Sequence, residues 1–210
     1  MKKKAETVSS PVARGRPRGF DVEKALDQAM RVFWKYGYEG ASLPELTKAM
    51  GINRPSLYAA FGNKESLFRK AVDRYVEITG GMFQEAMAQQ TARGAVEKLL
   101  KGMVESQCSS KIRGCMLVQS ALACGESGDA MKHELAMRRA AVESVLRERF
   151  ERAVMEGDLP RGADAAALAK YVAIVQHGLA VQFSGGAKRE ELLAAVEVAM
   201  RAFPANGNSE

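Results

Sequence analysis

The stretch from Ser42 to Lys64, SLPELTKAMGINRPSLYAAFGNK, constrains the fold more than any other part of the chain. It predicts two short helices joined by a tight turn. Ser42 is placed to cap the first, and Glu45 three residues on closes a capping box. Pro44 falls in the first turn, where its missing N–H removes nothing from the helix. Leu43, Leu46, Ala49 and Met50 recur at helical spacing as one apolar face. Gly51 supplies the left-handed residue that stops the helix, and Ile52 follows as an apolar plug. Asn53 caps the second helix, with Pro55 in its first turn. In that second helix only Leu57, Ala60 and Phe61 point one way. A helix so short, with so little apolar surface, is not stable alone. Neighbours must hold it, leaving Arg54, Pro55, Ser56, Tyr58 and Ala59 turned outward. Such a pair is a helix-turn-helix, whose second helix enters the DNA major groove.

The flanking segments support this unit. A helix is predicted from about Val22 to Tyr36, capped by Asp21, with Ala25, Leu26, Ala29, Val32, Phe33 and Tyr36 as its buried stripe and Trp34 in a packing role. Gly37 ends it. Asn63 caps a fourth helix that continues through Leu67, Phe68, Ala71, Val72, Tyr75 and Thr79 into the rest of the chain. Lys64 takes its first position, where a lysine opposes the macrodipole. Its value is therefore external, as a cation beside free N–H groups that together attract an anion. Gly80-Gly81 is expected to bend or break this helix before Met82-Phe83.

The segment from Phe20 to about Tyr75 resembles the DNA-binding domain of the TetR family of one-component repressors. The residues that carry the likeness are FWKYGYEGASLPELTKAMGINRPSLYAAFGNKESLF, Phe33 to Phe68. Specific in combination are the aromatic-Gly-Tyr turn, the Ser-Leu-Tyr then Phe of the second helix, and Asn-Lys-Glu before Leu-Phe. One departure is Ala59-Ala60, where family members often carry His or Tyr before the Phe. The resemblance implies that Tyr58 and Lys64 contact DNA phosphate with Ser42 and Thr47 in support. It implies that Arg54, Pro55 and Ser56 face base edges, with Asn53 at the helix start. It also implies a homodimer on a palindromic operator and a small-molecule effector.

The charge distribution agrees. Residues 1–20 hold six basic side chains against one acid, a net +5. Residues 21–75 hold nine against seven, +2, and residues 76–210 hold sixteen against seventeen, −1. A positive end on a neutral body is the footprint of a DNA-binding end. The run Arg14-Gly15-Arg16-Pro17-Arg18 sits in an aperiodic stretch, expected to be disordered off DNA. Arg16 and Arg18 there suit an adjacent minor groove or general phosphate attraction.

The body reads as helix throughout. Helices are expected over 95–107, 115–123, 130–156, 163–183 and 190–203, with no alternating strand pattern, P-loop or dinucleotide fingerprint. Helix 163–183 carries small apolar residues on more than one side, and Ala194, Ala195, Val198, Ala199 and Ala202 continue the theme. A second copy of the same two helices would cover such faces in an isologous four-helix bundle. Met82, Phe83, Met103, Met116, Gln119, Met137, Gln176, His177 and Phe183 are the candidate lining of a ligand cavity, with plain core packing as the bland alternative. The near-neutral body favours an uncharged or weakly polar ligand. Cys108, Cys115 and Cys124 keep a second option open, a thiol-based redox or electrophile sensor on the same scaffold. Reduced cysteines, no apolar run of about 20 residues and no signal peptide point to the cytoplasm. His133 and His177 are too isolated for a metal site, and no nucleophile has a base beside it, so neither an enzyme nor a cofactor is expected. The whole is predicted to be all-α: a basic arm over 1–19, a three-helix DNA-binding domain over 20–75, and a helical ligand-binding and dimerisation domain over 76–210.

Overall fold

The computed structural model describes residues 19–108, 114–122 and 129–204. Arg14, Arg16, Arg18, Lys111, Arg113 and Cys124 lie outside them. Among the described residues the chain is all-α. The elements are α1 (Val22–Gly40), α2 (Leu43–Met50), α3 (Arg54–Phe61), α4 (Lys64–Met87), α5 (Ala92–Cys108), α6 (Met116–Leu122), α7 (Asp129–Met155), α8 (Ala165–Ser184) and α9 (Arg189–Ala202).

Local chemistry sets the first four. Asp21 caps α1 by accepting from Lys24 N. Gly37 interrupts that helix at φ 71°, ψ −179°, a conformation that glycine alone adopts readily. The chain beyond it turns through Tyr38 into α2. Tyr36, expected in the buried stripe, is instead exposed. It precedes the kink, and Gly37 takes the inward position there. Ala49 of α2 is likewise exposed, because that eight-residue helix turns Leu46 and Met50, with Leu43 partly buried, to the core. Ser42 and Glu45 form the expected capping box, and Gly51 closes α2 in the left-handed region.

Gly80 and Gly81 do not break α4, which runs unbroken for 24 residues. Two glycines cost the helix about 1 kcal/mol each against alanine. Packing on both sides outweighs that cost. Leu67, Phe68, Ala71, Val72 and Tyr75 bury into one core, while Ala86 is buried in a second with Met82, Phe83 and Met87 packed against it.

The two cores are not split at the domain boundary that the sequence suggests. The first gathers α1 to α4 around Phe33, Leu46, Leu57 and Phe68, and also takes Met116 and Leu117 of α6 with Met131 and Leu135 of α7. The second is built from α5, α7, α8 and α9 around Leu99, Leu146, Phe150, Val172 and Phe203. On the outer face of α8 and α9, Ile174, Val181 and Val198 are exposed.

Where α4 ends, a buried cation holds it. Arg149 of α7 is only 5% exposed and donates from Nη2 to the carbonyls of Gln89 and Gln90 at 3.0 and 3.1 Å. Asp158, beyond α7, accepts from Ala92 N at 2.5 Å and so caps the start of α5. The α4–α5 turn is thus gripped by one charge of each sign, matched to the helix ends it meets. Arg149→Met keeps the bulk but leaves both carbonyls bare. Each lost bond to the guanidinium is worth about 1.5–3 kcal/mol, offset by the removed cost of burying a charge. The expected outcome is a net loss of roughly 1–3 kcal/mol, read by urea unfolding at fixed protein concentration.

Candidate nucleic-acid interface

Residues 42–64 form the candidate interface. Leu57 and Phe61 of α3 are buried, which fixes the helix by its inner edge. Asn53 caps it, accepting from Ser56 N at 2.9 Å. Its outer edge carries Arg54 and Pro55, both exposed, with Ser56 half-buried and Tyr58 46% exposed. Arg54, Pro55 and Tyr58 are thus open to the outside. Asn53 sits among them, but its side chain is committed to the cap.

Two further candidates are partly engaged within the protein. The Ser42 hydroxyl donates to Glu45 Oε2 at 2.7 Å and accepts from Glu45 N at 3.3 Å. The hydroxyl bond to the carboxylate, with the Ser42 N–H donating to the same oxygen at 3.0 Å, holds the exposed Glu45 carboxyl below its ordinary value. Thr47 Oγ1 donates back to the Leu43 and Pro44 carbonyls at 2.9 and 3.1 Å, so its lone pairs remain for an outside donor. Lys64 is the informative case. Its Nζ lies 4.8 Å above the centre of the Tyr38 ring and donates to Glu39 O at 3.4 Å. Burial lowers its pKa, and Glu39 partly opposes that. A lysine parked over a ring, at a helix start that repels it, is poised rather than satisfied. Tyr38, read from sequence only as part of the aromatic-Gly-Tyr turn, supplies that platform. It also packs edge-on against Phe68 at 5.2 Å, a contact that only the fold reveals.

Behind the interface a polar seam joins the two cores. Trp34 of α1 donates from Nε1 to Gly114 O at 3.2 Å, and Gly114 N donates to Gln107 Oε1 at 2.7 Å. Tyr75 Oη lies 3.5 Å from Cys115 Sγ. Burial, then the neighbouring thiol, push the Tyr75 phenol well above its ordinary value, so it stays protonated. The sequence-predicted cavity residues do not converge on one space. Met103 and Phe183 are buried in the second core with Met82 and Phe83 against it, and Met116 is buried in the first. Gln119, Gln176 and His177 are half-buried. Met137 is 60% exposed, on the outward side of α7. His177 instead lines a groove of about 440 Å³ between α6, α7 and α8. Among the described residues no three His, Cys, Asp or Glu are gathered as for a metal ion, and no helix is long and apolar enough to cross a membrane.

Comparison with known proteins agrees with this geometry. Residues 25–71 match the family described as bacterial regulatory proteins, tetR family. A cysteine-substituted form of the TetR family transcriptional regulator CifR, solved with a 26-base-pair operator duplex, is 43% identical. The likeness covers 90% of this chain and 100% of that one, with a TM-score of 0.87. The transcriptional repressor ComR of Escherichia coli K12 is 29% identical over 195 residues, 91% of this chain and 93% of that protein. The repressor BdcR of the same organism is 47% identical over 62 residues, 30% of this chain and 32% of its own. With the fold, the helix-turn-helix and a relative matched along its entire length, the chain belongs to the TetR family of transcriptional regulators.

Proposed function

We propose that the chain is a repressor that binds a palindromic operator as a homodimer and is released by a small apolar or amphipathic ligand. One observation carries the DNA reading: α3 is fixed by Leu57 and Phe61 while Arg54, Pro55, Ser56 and Tyr58 are left to the outside. The operator-bound state of CifR supports it. In this reading Arg54, Pro55 and Ser56 meet base edges, and Tyr58 and Lys64 meet phosphate with Ser42 and Thr47 beside them. Lys64 leaves the Tyr38 ring to do so. The basic arm with Arg16 and Arg18 joins the fold at Gly19 and Phe20. These line a groove with Asn53 and Ser56, which supports an arm that reaches DNA next to α3.

The dimer reading rests on the outer faces of α8 and α9. Ile174, Val181 and Val198 are exposed there beside Ala167, Gly178, Ala194 and Ala195. A second copy would bury this stripe in a four-helix bundle. One short recognition helix reads too few bases alone. In this reading residues 20–75 form the DNA-reading unit and residues 76–210 the body, with the boundary inside α4.

The test is fluorescence anisotropy on a palindromic duplex from the chain's own upstream region, with light scattering for stoichiometry. The expected result is a dimer on DNA. Lys64→Ala is expected to weaken binding to all sequences and lower the salt slope by about one unit. Arg54→Ala is expected to change sequence preference instead. A monomer at micromolar concentration, or a Lys64 variant with an unchanged salt slope, contradicts the reading.

A specific contact favours a second trigger. Cys115 packs against both cores and receives the Tyr75 hydroxyl, so a group added to its sulfur would press on α4 directly. Cys108 is exposed on α5. The two triggers separate in a variant with Cys108, Cys115 and Cys124 all changed to Ser. Under the ligand reading it still binds operator and still responds to the inducing compound. Retained binding with lost response identifies the thiol as the trigger.

A further inference from the structure

We propose that the groove between α6, α7 and α8 is the effector site and that it takes an amphipathic organic anion, a monocarboxylate with an apolar body. The proposal rests on the release reading above and names the ligand class for it. The groove holds about 440 Å³, within the range of small-ligand sites. Its apolar side is Val118 and Leu122 of α6 with Ala136 of α7, and Leu122 is 72% exposed. Its polar side is Lys132 and Arg139 of α7 with His177 of α8.

The charges on that polar side are not balanced. Arg139 donates from Nη1 to the Leu117 carbonyl at 2.7 Å, and no carboxylate pairs with it among the described residues. Glu143, one turn along, gives its carboxylate to Lys170 at 2.7 Å. Lys132 has Asp129 at 3.3 Å, but that carboxylate is 82% exposed and strongly hydrated. Burial, then the Arg139 charge, lowers the His177 pKa, so its imidazole is neutral at pH 7 and free to donate one N–H. A half-buried guanidinium without a counter-ion, beside a neutral donor, suits a planar carboxylate. The apolar side then requires that the carboxylate carry a hydrocarbon body. The near-neutral net charge of residues 76–210 hid this, because net charge does not record where the cations gather.

The placement also gives the site something to move. Its α6 wall buries Met116 and Leu117 in the core of the DNA-reading unit. Its α7 wall pairs with α4 through Glu134–Arg69 at 2.7 Å and Arg138–Asp73 at 2.6 Å. An occupant therefore touches the two elements that hold the reading unit from behind, and its preference for one arrangement shifts the population.

Calorimetric titration of the full-length protein with decanoate and with decan-1-ol tests this, with operator affinity measured in parallel. Decanoate is expected to bind at least tenfold tighter than decan-1-ol. Arg139→Gln should weaken decanoate by about tenfold or more while leaving decan-1-ol unchanged. Ala136→Trp should fill the groove and remove both. Should Arg139→Gln lose helix content through the Leu117 bond, Arg139→Lys and Ala136→Trp decide. The lysine variant then retains part of the decanoate preference. Equal binding of the two probes, no decanoate binding at millimolar concentration, or decanoate binding indifferent to Ala136→Trp overturns the proposal. Decanoate that binds as expected without changing operator affinity leaves the site standing and removes the release reading.

Discussion

Everything the chain presents to the outside depends on α4 belonging to two cores at once. Its first half supplies Leu67, Phe68, Ala71, Val72 and Tyr75 to the packing around α1, α2 and α3. Its second half packs Met82, Phe83 and Ala86 with α5, α8 and α9. Each fully buried large side chain contributes about 1.5–3 kcal/mol. Both halves are therefore held far more firmly than an eight-residue helix such as α3 could hold itself. A strut anchored this way has few options. It stays helical through Gly80-Gly81, and the Arg149 clamp fixes its far end against α7.

The short helices were legible because their chemistry is local. Ser42, Asn53 and Asn63 cap as the sequence indicates, and Gly51 turns the chain with the positive φ that its position requires. Each of these depends on residues within four positions. Errors arose where a distant contact outvoted a local preference. Gly80-Gly81 signals a break, but the break would cost packing on both sides of it. Tyr36 fits the helical stripe by spacing, yet the kink at Gly37 hands the inward position to glycine. Met137 points outward, because α7 buries Leu135 in the first core and Leu146 and Phe150 in the second instead. The candidate lining was chosen by residue type, and type does not say which of two cores a methionine enters.

Lys64 shows the other limit of sequence. Its first-turn position argues that local stability does not explain it, and that much could be read. That the free protein stores it over the Tyr38 ring could not, since the pair is 26 positions apart in the chain and meets only after Gly37 turns it. The storage matters for affinity. A cation–π contact at a partly exposed site is worth about 0.5–1 kcal/mol, less than a charge-assisted bond to phosphate at about 1.5–3 kcal/mol. In the proposed phosphate contact, leaving the ring therefore takes part of the gain without cancelling it.

The tie between the reading unit and the body can be ranked in the same way. The Arg69–Glu134 and Arg138–Asp73 pairs are partly exposed, so each contributes little and fades with salt. Burial of Met116 and Leu117 outweighs both pairs together. Apolar packing of α6 therefore sets where the reading unit sits, and the ion pairs only bias it. The Trp34–Gly114 and Tyr75–Cys115 contacts then fix the register of that packing, one from α1 and one from α4. A trigger with 1–3 kcal/mol of preference, the usual scale of coupling, is too weak to strip α6 from the core. It is strong enough to choose between two ways of seating it. On the proposed release reading, regulation is a small shift of a well-packed joint, and the chemistry that produces it must reach α6.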